Sequence, residues 1–204
     1  MLRQQASLAV SAPFKLQVMP IKPEPALKQD LVAFLADDFD IILEAEGHWP
    51  LDGSKCLLDF LLRPKPHIIE MGFRANAFGI EVKSPIASES VKKLLDCILQ
   101  SYTYTLCEFS GIRPDFVLIY PEAKYFFDHD FQKKYKGDER NRYHPAEVRI
   151  VRRIMQRANV GELILSERNR YEIRFAASRY FDPIRGQTRI ENLGTTRRVG
   201  SRKL

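Results

Sequence analysis

Cys56-Leu57-Leu58-Asp59-Phe60-Leu61-Leu62 sets one carboxylate in the middle of an apolar run, and Gly79-Ile80-Glu81-Val82-Lys83-Ser84-Pro85 sets a carboxylate and an amine two positions apart on a second. Successive side chains of a strand point to opposite faces, so Glu81 and Lys83 share one face while Ile80 and Val82 take the other. An Asp59 left unpaired among leucines would cost at least roughly 2 kcal/mol, so it calls for a cation. A divalent ion shared with Glu81 supplies one. Two hard carboxylate oxygens suit Mg²⁺, or Mn²⁺, which binds through one or two carboxylates together with substrate phosphates. An ion held there would lower the pKa of a bound water and stabilise charge on a phosphodiester in line with it. Lys83 would orient or deprotonate that water, or neutralise the developing phosphorane.

Outward from these two strands, Ser88 reads as the N-cap of a helix with apolar residues at Val91, Leu94, Leu95, Ile98 and Tyr102. Gln100 and Tyr104 are i, i+4 neighbours expected on its opposite face. Upstream, Pro23 to Leu35 reads as a helix begun at a proline, with Leu27, Leu31, Phe34 and Leu35 as its buried stripe and Glu24 in its first turn. A strand over Asp40 to Glu46 follows, and Asp52-Gly53 predicts a turn joining it antiparallel to the Asp59 strand. Arg63-Pro64-Lys65-Pro66-His67 breaks the sheet, and the link from there to Phe78 has no assigned element. Pro114 to Tyr120 is a short continuous apolar run, expected to be a buried parallel strand reached through the preceding helix as a crossover.

Asp59 followed by Glu81-Val82-Lys83, then Gln100 and Tyr104 on the next helix, resembles the PD-(D/E)xK nuclease superfamily, in its RecB and lambda-exonuclease branch with a QxxxY motif. The resemblance covers roughly Glu24 to Tyr120. It implies an α/β fold with a restriction-endonuclease-like core, αβββαβ, in which a mixed central sheet is flanked by helices. It also implies that Asp59, Glu81 and the backbone carbonyl of Val82 hold Mg²⁺ or Mn²⁺, that Lys83 works on the nucleophilic water, and that Gln100 and Tyr104 position the scissile strand or brace Lys83. The family's first acid falls on Glu24, with Asp30 as the alternative; Glu44 and Glu46, which share a face with His48, are also placed to approach the metal. The four histidines have no ligand spacing.

Composition sets the frame for this chemistry. The 204 residues, 45% hydrophobic, suffice for one good core, and no apolar run approaches a membrane span. Ala6 to Ala12 is too short and too weakly preceded by charge for a secretory signal. Three cysteines without a CxxC fit reduced thiols and a cytoplasmic setting, and are too few for a four-cysteine iron–sulfur cluster. No GxxxxGK[ST] accompanies them, so no ATP-driven helicase is fused to this stretch. The expected organisation is an arm over 1–22, a nuclease-like domain over 23–182 and a basic tail over 183–204.

Of the net charge of +6, most lies in that tail, where Arg185, Arg189, Arg197, Arg198, Arg202 and Lys203 face only Glu191. Such a segment gains affinity for polyanions by counterion release. The stretch from Tyr125 to His144 mixes Lys133, Lys134, Lys136, Arg140 and Arg142 with Phe126, Phe127, Phe131, Tyr135 and Tyr143, a pattern that suits gripping a nucleic-acid strand by its phosphates and bases. A helix from Pro145 follows, burying Val148, Val151, Met155 and Ala158, with Arg149, Arg152, Arg153 and Arg157 on its other faces. Gly161 ends it, and the runs from Glu162 and from Tyr171 read as a hairpin extending the sheet. Arg149 and Arg153 join the tail and the basic loop as expected DNA contacts. The expected function is a metal-dependent deoxyribonuclease of recombination, repair, phage or mobile-element replication or defence. DNA is its partner, a second copy or a replication or recombination protein a further one, and no membrane is involved. The rival is a non-catalytic nucleic-acid-binding protein on the same fold; a basic tail that binds an acidic protein partner is the third reading.

Overall fold

Pro23 fixes an extended backbone just ahead of α1 (Glu24–Leu35), and the spacing of Leu27, Leu31 and Leu35 gives that helix one buried edge. The chain then forms a long hairpin, β1 (Phe39–His48) and β2 (Lys55–Pro64), closed by backbone bonds between Trp49 and Ser54 and between Gly53 and Trp49. The computed structural model describes residues 22–85, 90–127, 145–166, 170–176 and 178–187. Within them the link after β2 contains a short helix, α2 (Pro66–Glu70), ahead of β3 (Phe78–Val82). Then come α3 (Ser90–Tyr104), β4 (Glu108–Phe109), β5 (Val117–Tyr120), a helical turn at 123–127, α4 (Pro145–Arg157), β6 (Val160–Ser166), β7 (Arg170–Phe175), β8 (Ser178–Asp182) and β9 (Gly186–Gln187).

The described strands make one mixed sheet in the order β4-β1-β2-β3-β5-β6-β7-β8-β9. Its centre, β3-β5-β6, is parallel, and the flanks are antiparallel. Parallel neighbours need a crossover, and α3 and α4 supply the two. Both helices cover one face, where Leu94, Cys97, Ile98 and Met155 meet Ile119 and Val160. α1 covers part of the other face with Phe60, Leu62, Ile80 and Val82. That face curls on itself: Phe39 of β1 lies 5.7 Å from Tyr171 of β7, and the Tyr171 hydroxyl donates to Asp38 at 2.8 Å. At Gly161 the strands approach so closely that a Cβ would lie 2.7 Å from Leu118 and 2.8 Å from the Arg174 carbonyl, so only glycine fits there.

Mixed α/β architecture, the hairpin, the parallel β5 and the C-terminal helix followed by a hairpin agree with the sequence reading. Three features depart from it. β4 adds a strand on the outer edge of β1. The sheet runs past Asp182 into β9, where Gln187 Oε1 accepts from the Arg74 amide at 2.9 Å, so Pro183 to Gln187 belong to the folded body and not to the tail. On α3 the buried residues are Leu94, Cys97, Ile98, Ser101 and Tyr104, while Leu95 and Tyr102 are exposed. No helix among the described residues is long and apolar enough to cross a membrane.

Candidate active site

Extending the register of β2 with β3 by one pair beyond Phe60 and Ile80 sets Asp59 opposite Glu81, and the register of β1 with β2 sets Glu44 opposite Asp59. Glu44, Asp59 and Glu81 therefore occupy one row of backbone positions across three neighbouring strands. The row is also where the hairpin turns over. Phe39 and Ile41 of β1 and Phe60 and Leu62 of β2 pack in the α1-side cluster, whereas Ala45 and Leu58 belong to a cluster with Tyr104 of α3. Glu44 has φ +47°, the left-handed conformation that breaks the alternation. At this kink Asp59 Oδ2 accepts the Val82 amide at 2.8 Å, so a side chain takes a backbone donor where the ladder has ended.

Asp59 Oδ1 is held by Lys28 Nζ at 2.5 Å, and the same ammonium lies 3.9 Å from Glu24, one turn earlier on α1. On β3, Glu81 Oε1 pairs with Lys83 Nζ at 3.0 Å, while Ile80 and Val82 are fully buried on the other face, as alternation requires. Glu81 is 2% exposed, and its Oε2 has no hydrogen-bond partner among the described residues. Burial first, then the Asp59 charge, pushes its carboxyl up to about 7 against the opposing pull of Lys83. Burial draws the Lys83 ammonium down, but the Glu81 carboxylate, the hydrogen bond to it and the charge of Glu24 outweigh that, and the net direction is up. Lys83 is thus an ammonium at neutral pH, suited to orienting and neutralising and not to taking a proton.

Glu24, Asp59, Glu81, Lys83 and Lys28 form one electrostatic unit, since Glu24 acts on Glu81, Lys83 and Lys28, and Glu44 acts on Lys28. Of the alternatives for the first acid, Asp30 is engaged elsewhere by Lys22 at 2.7 Å, and Glu46 is exposed on β1 beyond the row. Lys28 is the member that the strand pattern did not single out; its signal was the i, i+4 spacing from Glu24. No group of three or more His, Cys, Asp or Glu among the described residues is arranged to hold a metal ion. One oxygen of Asp59 and one of Glu81 are each held by a lysine.

Gln100 and Tyr104 do meet, with Gln100 Nε2 2.5 Å from the Tyr104 hydroxyl. Tyr104, however, is 4% exposed, and its hydroxyl donates to the Leu57 carbonyl at 2.6 Å. The expectation that both lie opposite the buried stripe is corrected for Tyr104, which is itself part of the core. Leu57 lies on β2 beyond the last residue paired with β3, so its carbonyl needs this cap. Burial, then the Glu81 charge, pushes the phenol up to about 12, keeping it a neutral donor.

Of the expected DNA contacts, Arg149 and Arg153 are exposed on α4, as is Arg157 beside them. Arg152 differs: its Nε lies 2.7 Å from Glu162 and its Nη2 3.1 Å from Glu122, both buried carboxylates at the ends of β6 and β5. Phe126, expected among the base-stacking rings, is fully buried against α3 and α4. Lys133, Lys134, Lys136, Arg140, Arg142, Arg197 and Arg198 lie outside the described residues. No protein-family model, curated protein or solved structure matches the chain.

Proposed function

We propose that this chain is a metal-dependent deoxyribonuclease built on a restriction-endonuclease-like core. The observation that carries the reading is a buried Glu81 set opposite a partly buried Asp59 of the neighbouring strand, with Lys83 on Glu81 and one Glu81 oxygen left without a partner among the described residues. A carboxylate oxygen buried without a donor is costly, and a hard cation is the partner that its chemistry accepts. Asp59, Glu81 and the Val82 carbonyl would hold Mg²⁺ or Mn²⁺, with Glu24 beside them. The bound ion would supply a water of lowered pKa and a counter-charge for the phosphodiester oxygens.

The chain's own residues then divide the work. Lys83, held as an ammonium by Glu81, aligns the attacking water or stabilises the phosphorane oxygens, donating without losing its proton. Val82 fixes Asp59 through its amide, so the carboxylate presents a constant orientation. Gln100 and Tyr104 brace the β2 end of the site through the Leu57 carbonyl. Arg149, Arg153 and Arg157 on α4 offer phosphate contacts that carry affinity and no chemistry.

The rival is a non-catalytic DNA-binding protein of the same fold, and the seating of Lys28 on Asp59 is the observation that favours it. Incubation of the full chain with circular and with linear DNA, in Mg²⁺ and in EDTA, separates the two. Cleavage is expected in Mg²⁺ only. Asp59→Asn and Lys83→Ala should each lower the single-turnover rate by about two orders of magnitude or more while DNA binding persists. Cleavage in EDTA, or full activity in Asp59→Asn, overturns the metal-site reading; binding without cleavage in any condition establishes the rival.

A further inference from the structure

Lys28 has no part in the chemistry just described, yet it makes a close contact in the centre. Its Nζ lies 2.5 Å from Asp59 Oδ1, and Asp59 Oδ2 is taken by the Val82 amide at 2.8 Å, so both oxygens of this carboxylate are engaged within the chain. The two engagements differ in kind. The amide belongs to the backbone of a fully buried residue and is fixed, whereas the ammonium sits on a flexible four-carbon stem with 27% of its side chain exposed. Lys28, Glu44 and Asp59 line an open crevice of about 650 Å³ beside α1, together with Gln29, Val32 and Leu43, which gives the stem somewhere to go.

Charge points the same way. Two ammoniums, Lys28 and Lys83, already stand against the acidic groups of the centre, Glu24, Glu44, Asp59 and Glu81. A divalent ion added to this arrangement would face an ammonium at the very oxygen it needs. Two cations at hydrogen-bonding distance from one oxygen repel each other by several times thermal energy at any protein dielectric.

We propose that, on the metal-dependent reading above, Lys28 is a tethered cation that competes with the divalent ion for Asp59 Oδ1 and so sets the metal concentration at which the centre assembles. Lys28 is a positioning residue in this scheme: it keeps Asp59 paired and correctly aimed until the ion takes its place. Lys83, whose partner is Glu81, has no such role, because Glu81 keeps its second oxygen open.

Mn²⁺ binding to the full-length protein, followed by electron paramagnetic resonance without DNA, tests this apart from any activity. Lys28→Met and Lys28→Gln, which keep the stem and remove the charge, should each bind Mn²⁺ about ten-fold more tightly than the unaltered chain, the equivalent of ~1.4 kcal/mol. Asp59→Asn should abolish the gain when combined with either. Equal or weaker affinity in both Lys28 variants overturns the competition and leaves the metal-site reading standing. Failure of the unaltered chain and both variants to bind Mn²⁺ at millimolar concentration overturns both.

Discussion

Glu81 brings together nearly every force acting on the candidate site. Its position on β3 makes it core-facing in depth but polar in kind, and burial plus the Asp59 charge hold its carboxyl near 7 where 4.5 is usual. The native state therefore keeps a proton that the unfolded chain releases near 4.5, and stability falls as pH rises between these values and is level above them. A shift of this size is worth on the order of 3 kcal/mol. Glu81→Gln removes the titration while keeping the shape. Chemical denaturation without metal should show the variant more stable than the parent at pH 8, by about 1–3 kcal/mol, and nearly equal at pH 4.5; equal stability at both pH values would mean that Lys83 compensates the charge fully. The sequence carried the essentials here, because a strict two-residue alternation puts Glu81 and Lys83 together whatever the tertiary context. For Lys28 it offered only the i, i+4 spacing from Glu24 and nothing of Asp59, since the contact of α1 with β2 depends on how the helix is laid over the sheet and not on any local period.

Among the elements, α3 and α4 show how much a helix pattern leaves open. Apolar spacing identified both helices and the crossover role of α3, but Leu95, Leu99 and Tyr102 are exposed while Ser101 is fully buried. Neighbouring apolar residues on α3 allow two stripes about one residue apart, and only the sheet beneath chooses between them. Tyr104 thereby becomes a structural donor. Tyr104→Phe, which strands the Leu57 carbonyl, should cost about 1–2 kcal/mol in denaturant unfolding, whereas Gln100→Ala on the half-buried side should cost under ~0.5 kcal/mol. A reversal of that order would return Tyr104 to a purely functional role. α4 offers a sharper contrast. Three of its arginines face outward, and Arg152 alone turns in to two buried glutamates. Arg152→Ala leaves those charges uncompensated and should destabilise by about 3 kcal/mol or more, without changing the salt dependence of DNA binding beyond the loss of folded protein. Arg149→Ala with Arg153→Ala should leave melting nearly unchanged and reduce the slope of log affinity against log salt by about two. One basic run on one helix thus holds an arginine seated on buried carboxylates and three exposed ones, and only the exposed ones are proposed to meet DNA.

For the whole molecule, the sheet order puts the candidate site where β1, β2 and β3 meet the N-terminal turn of α1, several strands away from the C-terminal edge formed by β8 and β9. The sequence boundary for the basic tail fell at Pro183 because composition changes there. Folding does not stop there: Asp182 Oδ1 accepts the amides of Ile184 and Arg185 at 2.9 and 2.8 Å, and β9 then pairs with β8 and reaches Arg74 through Gln187. Gly186, at φ +68° and against the Met71 carbonyl, is fitted to that return. A test of the tail as a DNA contact must therefore cut after Gln187. Removal of residues 188–204 takes away Arg189, Arg197, Arg198, Arg202 and Lys203 against one glutamate. This truncation should keep the melting temperature, weaken DNA binding at low salt and flatten the salt slope, because counterion release scales with the phosphates neutralised. It should leave the rate on saturating DNA intact, since these cations stand apart from the carboxylate row in sequence and the chemistry is assigned to Asp59, Glu81 and Lys83. A cut at Pro183 should instead lower the melting temperature by several degrees, by stripping β9 from the sheet edge. An unchanged salt slope in the shorter truncation would move nonspecific DNA contact onto α4 and the basic stretch that precedes it, and would leave the tail to a protein partner.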